Sequence, residues 1–251
     1  EFRNMVKSLN GAGLRMSMDV VYNHTNASGQ ADKSTFDKIV PGYYYRLDEG
    51  GSVTTSTCCQ NTASERMMIR KDLDSLTVAN SGVNGKTILL YGEGWNFGEV
   101  ADNARFVNAT QANMAGTGIG TFDDRIRDAV RGGGPFDGDP RKQGWASGLF
   151  GAANGAGLES SIDYQMKDTD LIKVGLAGEG KYIKFMTLQD WVGQGREISY
   201  GSGMAGYTEN GTEQIAYADA HDNETLFDAR SYKLPASTPM SKRIRYQALG
   251  L

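Results

Sequence analysis

Three short apolar segments that end in ionisable side chains constrain the fold of this chain more than any other feature. They are GLRMSMDVVYNHT (13–25), KTILLYGEGW (86–95) and EQIAYADAHDNETL (213–226). Runs of this length that contain β-branched and aromatic residues predict strands. Strands that alternate with helices predict parallel βαβ units, and polar groups at the carboxyl ends of several such strands are typical of a (β/α)8 TIM barrel. We therefore predict an α/β fold built on part of a barrel.

The predicted helices lie between and around these segments. They cover residues 1–13, 66–80, 100–114, 121–131, 164–178 and 239–250. A doubly wound parallel sheet is the alternative architecture, but its nucleotide-binding form carries G-x-G-x-x-G directly after a strand. GTGIG (116–120) has a different spacing and follows no predicted strand, which favours the barrel.

Both ends of the chain are predicted to interrupt a larger domain. EFRNMVKSLNGAG (1–13) has the pattern of an amphipathic helix stopped by Gly, and SKRIRYQALGL (241–251) has that of a helix cut in mid-course. We predict one incomplete catalytic domain over residues 1–251, with long loops at 26–64 and 132–161. Aromatic side chains in these loops suit stacking on sugar rings, but each is first expected to pin its loop to the core.

The composition argues against two classes of partner. A net charge of −4 and a pI near 5.3 are unfavourable for binding nucleic acid or an anionic membrane surface. No apolar run approaches the roughly 20 residues that a membrane helix needs. We therefore expect no nucleic-acid partner and no membrane partner.

Motifs for metals and cofactors are weak. DGD (137–139) hints at calcium, but the later positions lack the carboxylates of an EF-hand, so a solvated turn is predicted there. The zinc spacing HExxH is absent from the sequence. No cofactor is expected to be required, and calcium is possible without support from a motif. Cys58 and Cys59 are adjacent, and because a bond between adjacent residues strains the peptide, two free thiols are predicted.

The polar residues at the predicted strand ends form one candidate site. A lone Asp there often caps the next helix and a lone His is often a satisfied core residue, but here several such residues converge. The only two histidines, His24 and His221, each lie within five residues of an Asp and within two residues of an Asn, and Glu93 is flanked by two glycines. Carboxylates and neutral donors around a cleft suit glycoside hydrolysis.

Longer motifs carry a resemblance to a known family. MDVVYNHT, YGEGWNFGEV and ADAHDNETLFD are similar to three of the four conserved segments of the α-amylase superfamily, and in detail to its pullulanase and limit-dextrinase branch. GYYYRLD (42–48), STCCQNTASE (56–65) and residues 113–150 resemble that branch too. The resemblance covers nearly the whole chain. It implies a starch-debranching hydrolase that cleaves α-1,6-glucosidic linkages in pullulan, limit dextrin or amylopectin with retention of configuration.

The resemblance also implies a role for each candidate residue. Glu93, after the fifth barrel strand, corresponds to the general acid/base, and Asp222, after the seventh, to the carboxylate that binds sugar hydroxyls and stabilises an oxocarbenium-like transition state. His24 and His221 correspond to hydrogen-bond donors at the cleaved sugar, and Asp19 to a carboxylate that orients its neighbours. The residues expected to contact substrate are Asp19, Asn23, His24, Trp95, His221 and Asn223.

The nucleophile that the family requires has no counterpart here. The resemblance implies an Asp at the end of the fourth strand, in a segment like DGFRFD, between NTASE (61–65) and KTILLYGEGW. The intervening sequence contains no such segment, and about 30 residues, one βα unit, are predicted to be absent between Met68 and Lys71. Asp72 and Asp74 follow in a stretch of helical character. The chain is therefore expected to be inactive, and no nucleophile is assigned.

Two alternatives remain open. An α-1,4-acting amylase or a branching enzyme would share the fold and most of the motifs. A non-catalytic glucan-binding protein would keep the cleft and lose the chemistry. Retention on amylopectin without release of reducing ends would favour the second alternative.

Overall fold

The computed structural model describes residues 1–64, 68–157, 161–178 and 180–251. It divides into two compact units, the first made of Glu1–Ser75 with Phe97–Arg105 and the second of Leu76–Asn96 with Phe106–Leu251. Both units mix helices and strands, as the α/β prediction requires. Within the residues described, no helix combines the length and the apolar character needed to cross a bilayer.

The first unit holds three α-helices, one 3-10 helix and one pair of short strands among its described residues. These elements are α1 (Phe2–Gly11), β1 (His24–Thr25), α2 (Phe36–Ile39), β2 (Gln60–Asn61), α3 (Ile69–Asp74) and the 3-10 helix Gly98–Asn103. Helix α1 confirms the amphipathic helix predicted at the start of the chain. Strands β1 and β2 are antiparallel, with His24 opposite Asn61.

The strand predicted over residues 13–25 is wrong except at its end. Residues 14–22 adopt no regular structure, and only His24–Thr25 forms a strand. Met18 and Val21 are 66% and 60% exposed. A strand forms only where a neighbour can pair with its backbone and cover its apolar face, and no strand of the described residues lies beside 14–22.

The long loop at 26–64 is held by polar and aromatic contacts. Asp37 is buried and accepts hydrogen bonds from the backbone N–H groups of Gly29 and Gly42 at 2.5 and 2.8 Å. Tyr45 is 2% exposed and its hydroxyl donates to the carbonyl of Ala27 at 2.8 Å. These contacts agree with the prediction that the aromatic residues of this loop pin it in place.

The second unit contains a three-stranded parallel sheet and two hairpins. Its helices are α4 (Val78–Ser81), α5 (Gln111–Met114), α6 (Asp124–Arg131), α7 (Ile162–Leu176), α8 (Leu226–Lys233) and α9 (Met240–Leu249). Its strands are β3 (Tyr91–Gly92), β4 (Gly120–Phe122), β5 (Lys184–Met186), β6 (Val192–Gln194), β7 (Ser199–Tyr200), β8 (Gly203–Met204) and β9 (Gln214–Ile215). The parallel sheet has the order β3-β4-β9, and the hairpins are β5-β6 and β7-β8.

The parallel sheet confirms part of the strand prediction. The strands that precede Glu93 and Asp222 both pair in parallel with β4, which lies between them. Strand β3 is at the edge of the sheet, and Leu89 before it is 57% exposed. The strand before Glu93 is therefore only partly covered, because an edge strand is buried less than a central one.

The helix predictions were correct for two stretches of the second unit and only partly correct elsewhere. Helices α7 and α9 match the predictions over 164–178 and 239–250. The helix predicted over 100–114 is broken because Asp102 has a φ of +54°. The stretch 121–131 begins as strand β4, and α6 starts only after Asp123, whose carboxylate caps it by accepting hydrogen bonds from two backbone N–H groups. The prediction over 66–80 is partly outside the described residues and otherwise yields two short helices, α3 and α4.

Packing of α6 against α7 forms the centre of the second unit. Ala129 of α6 and Val174 of α7 are 1% and 0% exposed. A Cβ atom at Gly175 would collide with Ile126, so a glycine is needed where the two helices approach. This core supports the strands of the parallel sheet through the β4–α6 connection.

A buried lysine organises the described part of the long loop at 132–161. The ammonium of Lys233 donates to the carbonyls of Gly132, Pro140 and Lys142 at 2.7, 2.7 and 2.6 Å. Burial, and then the nearby charge of Arg131, lower the pKa of Lys233 to about 8. The three carbonyls satisfy all three N–H groups of the ammonium, which is how a charge at this depth is tolerated.

Candidate active site

Glu93 lies directly after β3, at the carboxyl end of the parallel sheet, and its side chain is exposed. The chain turns sharply behind it, because Gly94 has a φ of +74°. A Cβ atom at Gly94 would lie 2.8 Å from Cγ2 of Thr121 on β4. Gly94 is therefore required by a close backbone approach, whereas a Cβ at Gly92 would meet no atom within 4 Å.

Trp95 lies half-buried over a cationic side chain. The guanidinium carbon of Arg127 is 5.8 Å from the centre of the Trp95 ring. Arg127 also donates to the hydroxyl of Tyr217 and to the carboxylate of Asp128, both at 2.7 Å. Burial opposes the charge on Arg127, but the carboxylate of Asp128 outweighs it and holds the pKa of Arg127 above its ordinary value. The position of Trp95 is thus supported by a charged network.

His221 and Asp222 follow β9 as an exposed pair. Nδ1 of His221 is 3.3 Å from Oδ1 of Asp222, and the two side chains are 73% and 64% exposed. Asn223 is half-buried, and the next residue anchors the segment, since Glu224 accepts hydrogen bonds from Arg131 at 3.0 Å and from the hydroxyl of Tyr232 at 2.6 Å. The pair is therefore exposed on a loop that Glu224 anchors.

The other three candidates belong to the first unit. Asp19 is exposed in the irregular stretch before β1, and Asn23 is also exposed while its carbonyl accepts from the backbone N–H of Thr62 at 3.0 Å. His24 is half-buried on β1, and its Nε2 lies 3.7 Å from Sγ of Cys58. The structure therefore places His24 on β1 with Asn23 directly before it, and leaves Asp19 outside regular structure.

The two cysteines are bonded to each other, so the prediction of free thiols is wrong. Cys58 has a φ of +128°, a conformation that residues other than Gly seldom adopt. That backbone conformation allows the two adjacent side chains to meet. The sequence alone did not indicate it, because the neighbouring residues Thr57 and Gln60 carry no turn signal.

A carboxylate that sequence reasoning missed, Glu99, organises the first unit. Its Oε1 accepts hydrogen bonds from Arg46, Thr54 and Asn61 at 2.8, 3.0 and 3.0 Å, and its Oε2 accepts from Ser56. Burial alone would raise the pKa of Glu99, but the hydrogen bonds from Arg46, Ser56 and Asn61 outweigh it and hold the pKa well below its usual range. The signal was present in the sequence as a second Gly-Glu pair, six residues after Glu93.

We expect Glu99→Gln to lower the free energy of unfolding by about 3 kcal/mol at neutral pH, because the buried guanidinium of Arg46 loses its anionic partner. Urea denaturation would measure the change, and Glu49→Gln, an exposed carboxylate of the same unit, should change stability by less than about 0.5 kcal/mol. The stabilisation is complete above the ordinary Glu pKa of 4.5 and is lost as pH falls below it, because the folded-state pKa is depressed. A difference between wild type and variant that stays constant from neutral to strongly acidic pH would contradict this assignment.

Comparisons with known proteins identify the relatives of this chain. No family model matches it. Pullulanase 1, chloroplastic, from Arabidopsis thaliana is 41% identical over 291 residues, covering 100% of this chain and 30% of the relative. The pullulanase of Klebsiella aerogenes is 39% identical over 289 residues, covering 100% of this chain and 26% of the relative. The chain thus spans less than a third of the length of these two relatives.

Both alignments are longer than the chain. The 291 aligned residues of the Arabidopsis relative, against 251 residues here, leave 40 positions without a counterpart in this chain. The Klebsiella aerogenes alignment, at 289 residues, leaves 38. Relatives in this region therefore carry additional residues.

Solved structures agree with the sequence relatives. Klebsiella pneumoniae pullulanase complexed with maltotriose matches with a TM-score of 0.85 and 38% identity, covering 100% of this chain and 27% of that one. Pullulanase type I of Bacillus subtilis, complexed with maltose, matches with a TM-score of 0.66 and 27% identity over 99% of this chain and 33% of that one. The chain is therefore a homologue of the pullulanases along its whole length.

Proposed function

We propose that this chain is part of a starch-debranching hydrolase that acts on α-1,6-glucosidic linkages in pullulan, limit dextrin or amylopectin. The observation that carries the proposal is the position of Glu93 at the carboxyl end of β3, turned by Gly94, in a chain homologous to pullulanases from end to end. The maltotriose complex of the Klebsiella pneumoniae relative supports a glucan as the ligand. The expected partner is a branched α-glucan.

The proposed roles divide the chemistry between two carboxylates. Glu93 protonates the glycosidic oxygen of the leaving sugar and later takes a proton from the attacking water. Asp222 binds sugar hydroxyls and stabilises positive charge at the anomeric carbon, and His221 beside it donates a hydrogen bond to the same sugar. The exposure of all three side chains leaves them accessible to a large polymeric substrate.

The remaining candidates are each proposed to contact the substrate or to support a residue that does. Trp95 offers a ring face for stacking on a sugar, and His24 and Asn223 offer polar contacts. Asn23 offers a further polar contact to substrate, and Asp19 orients the segment that carries His24. No cofactor is required for acid–base and nucleophilic chemistry of this kind, and calcium is not assigned a role.

We further propose that the chain forms part of a (β/α)8 barrel, from its third strand to its seventh helix, with one βα unit absent. The parallel order β3-β4-β9, with α6 following β4 and α8 following β9, supports consecutive barrel strands. The 40 alignment positions without a counterpart are comparable to the roughly 30 residues of one βα unit. The absent unit is the one expected to carry the nucleophile, so the proposed state of this chain is inactive.

Retention on immobilised amylopectin tests the glucan assignment without requiring turnover. We expect the chain to bind amylopectin and not cellulose, and a branched maltotriosyl-maltotriose to release it at a lower concentration than linear maltohexaose. Equal release by the two oligosaccharides would favour an α-1,4-acting relative of the same fold. Failure to bind amylopectin, or equal binding to cellulose, would refute the proposed ligand class.

A further inference from the structure

Three potential metal ligands lie together in the first unit. The ligand atoms offered by His24, Cys58 and Cys59 all lie within 4.8 Å of one another. We propose that, once the Cys58–Cys59 bond is reduced, these three side chains bind one soft divalent cation, of which Zn²⁺ and Cd²⁺ are the representatives. Two thiolates and one imidazole are a donor set that such ions prefer.

One edge of the site already has the right dimensions. The distance from Sγ of Cys58 to Nε2 of His24 is 3.7 Å. In a tetrahedral zinc site with Zn–S near 2.3 Å and Zn–N near 2.05 Å, sulfur and nitrogen lie about 3.6 Å apart. Only Cys59 must move, by rotation of its side chain after the S–S bond is broken, so that its sulfur occupies a third corner.

Backbone pairing fixes the two halves of the site. His24 on β1 is directly opposite Asn61 on β2, two residues after Cys59. The side chain of Asn61 is 0% exposed and accepts from the backbone N–H of Thr57, and it donates to Glu99 at 3.0 Å. The segment that carries Cys58 and Cys59 is therefore held next to β1 by the buried hydrogen bonds of Asn61.

The site is accessible, and it depends on redox state. Cys58 is exposed and Cys59 and His24 are half-buried, so a cation can enter from solvent and keep one water as a fourth ligand. Reduction of the disulfide by an added phosphine or dithiol supplies two electrons and two protons and yields two thiols. Binding of the cation then releases both thiol protons, because the thiolate is the ligand.

If the proposed function holds, occupation of the site competes with glucan binding. A cation on Nε2 of His24 removes the donor that the proposed function assigns to the sugar. The oxidised chain is therefore expected to bind glucan in the presence of Cd²⁺, and the reduced chain to be released from amylopectin by it.

Titration of the reduced, oxygen-free chain with Cd²⁺ tests the site directly. We expect one Cd²⁺ per chain, with the ultraviolet absorption of cadmium–thiolate bonds, and no such absorption from the oxidised chain. His24→Ala should weaken Cd²⁺ binding about tenfold or more, whereas His221→Ala, which removes the other histidine, should not. Protection of both cysteines from alkylation by iodoacetamide in the presence of Cd²⁺ provides a second readout on wild-type protein.

Two outcomes would overturn the proposal. The first is a reduced chain that binds no Cd²⁺ and whose cysteines remain fully alkylated. The second is a His24→Ala variant that keeps wild-type affinity and native circular dichroism, which would indicate adventitious binding by two thiols. Cd²⁺ binding by a chain that never binds amylopectin would refute the proposed function and leave the metal site standing.

Discussion

No reducing sugar is expected when the 251-residue chain is incubated with pullulan, and no covalent adduct with a mechanism-based fluorosugar. A retaining glycosidase needs a nucleophilic carboxylate about 5–5.5 Å from its acid, and we propose that this chain lacks the segment that would carry it. Removal of the nucleophile from a serine protease lowers kcat by a factor on the order of 10⁶. Reducing-sugar release and intact-protein mass spectrometry would measure the two effects, with Klebsiella pneumoniae pullulanase as the active control.

The nearest acidic residues after the proposed gap are poor substitutes. Asp74 forms an ion pair with Arg70 one turn away on α3, at 2.7 Å, and Asp72 lies in the first turn of the same six-residue helix. Asp222 is expected to bind sugar hydroxyls rather than to attack the anomeric carbon. A trapped fluorosugar on any carboxylate of this chain would contradict the prediction.

A chimera separates a missing nucleophile from a damaged fold. When residues 1–251 replace the matched region of full-length Klebsiella pneumoniae pullulanase, the chimera should hydrolyse pullulan and trap the fluorosugar only if the segment proposed to carry the nucleophilic Asp is restored between Met68 and Lys71. The same insertion with that Asp changed to Asn is the matched control, and it should restore neither. Activity of the control would show that another carboxylate serves as the nucleophile.

The elements that were predicted correctly are those whose structure depends on residues next to one another in the sequence. Helix α1 follows from its amphipathic pattern, and the need for a glycine at Gly94 follows from a turn directly after a strand. The position of Glu93 at the end of a strand was predicted because the apolar run before it changes to Gly-Glu-Gly at that point. Each of these features is determined by a few consecutive residues, so it does not depend on how the rest of the chain folds.

Features that depend on distant partners were not predicted correctly. Residues 14–22 have a strand-like composition, but a strand needs neighbours, and none pairs with them among the described residues. Glu99 gains its importance from Arg46 and Asn61, which are 53 and 38 positions away. The Cys58–Cys59 bond depends on the positive φ of Cys58, and no neighbouring residue type indicates that conformation. In each case the determining interaction is tertiary.

Glu93→Gln, introduced into the chimera that carries the nucleophile, is expected to lower kcat on pullulan by about 10²–10⁴-fold, the usual contribution of a general acid. Gln has no proton to give to the leaving oxygen, so kcat falls. It keeps the size and the hydrogen-bonding capacity of Glu, so KM should change little.

A glucosyl substrate whose leaving group is an acidic phenol needs no protonation. The variant should therefore form the glycosyl-enzyme from that substrate at nearly the rate of the unaltered chimera, and burst kinetics would measure it. Glu49→Gln provides the matched control and should leave both reactions unchanged. Equal losses on pullulan and on the phenyl substrate would assign Glu93 a structural role, and unchanged turnover of pullulan would exclude it as the acid.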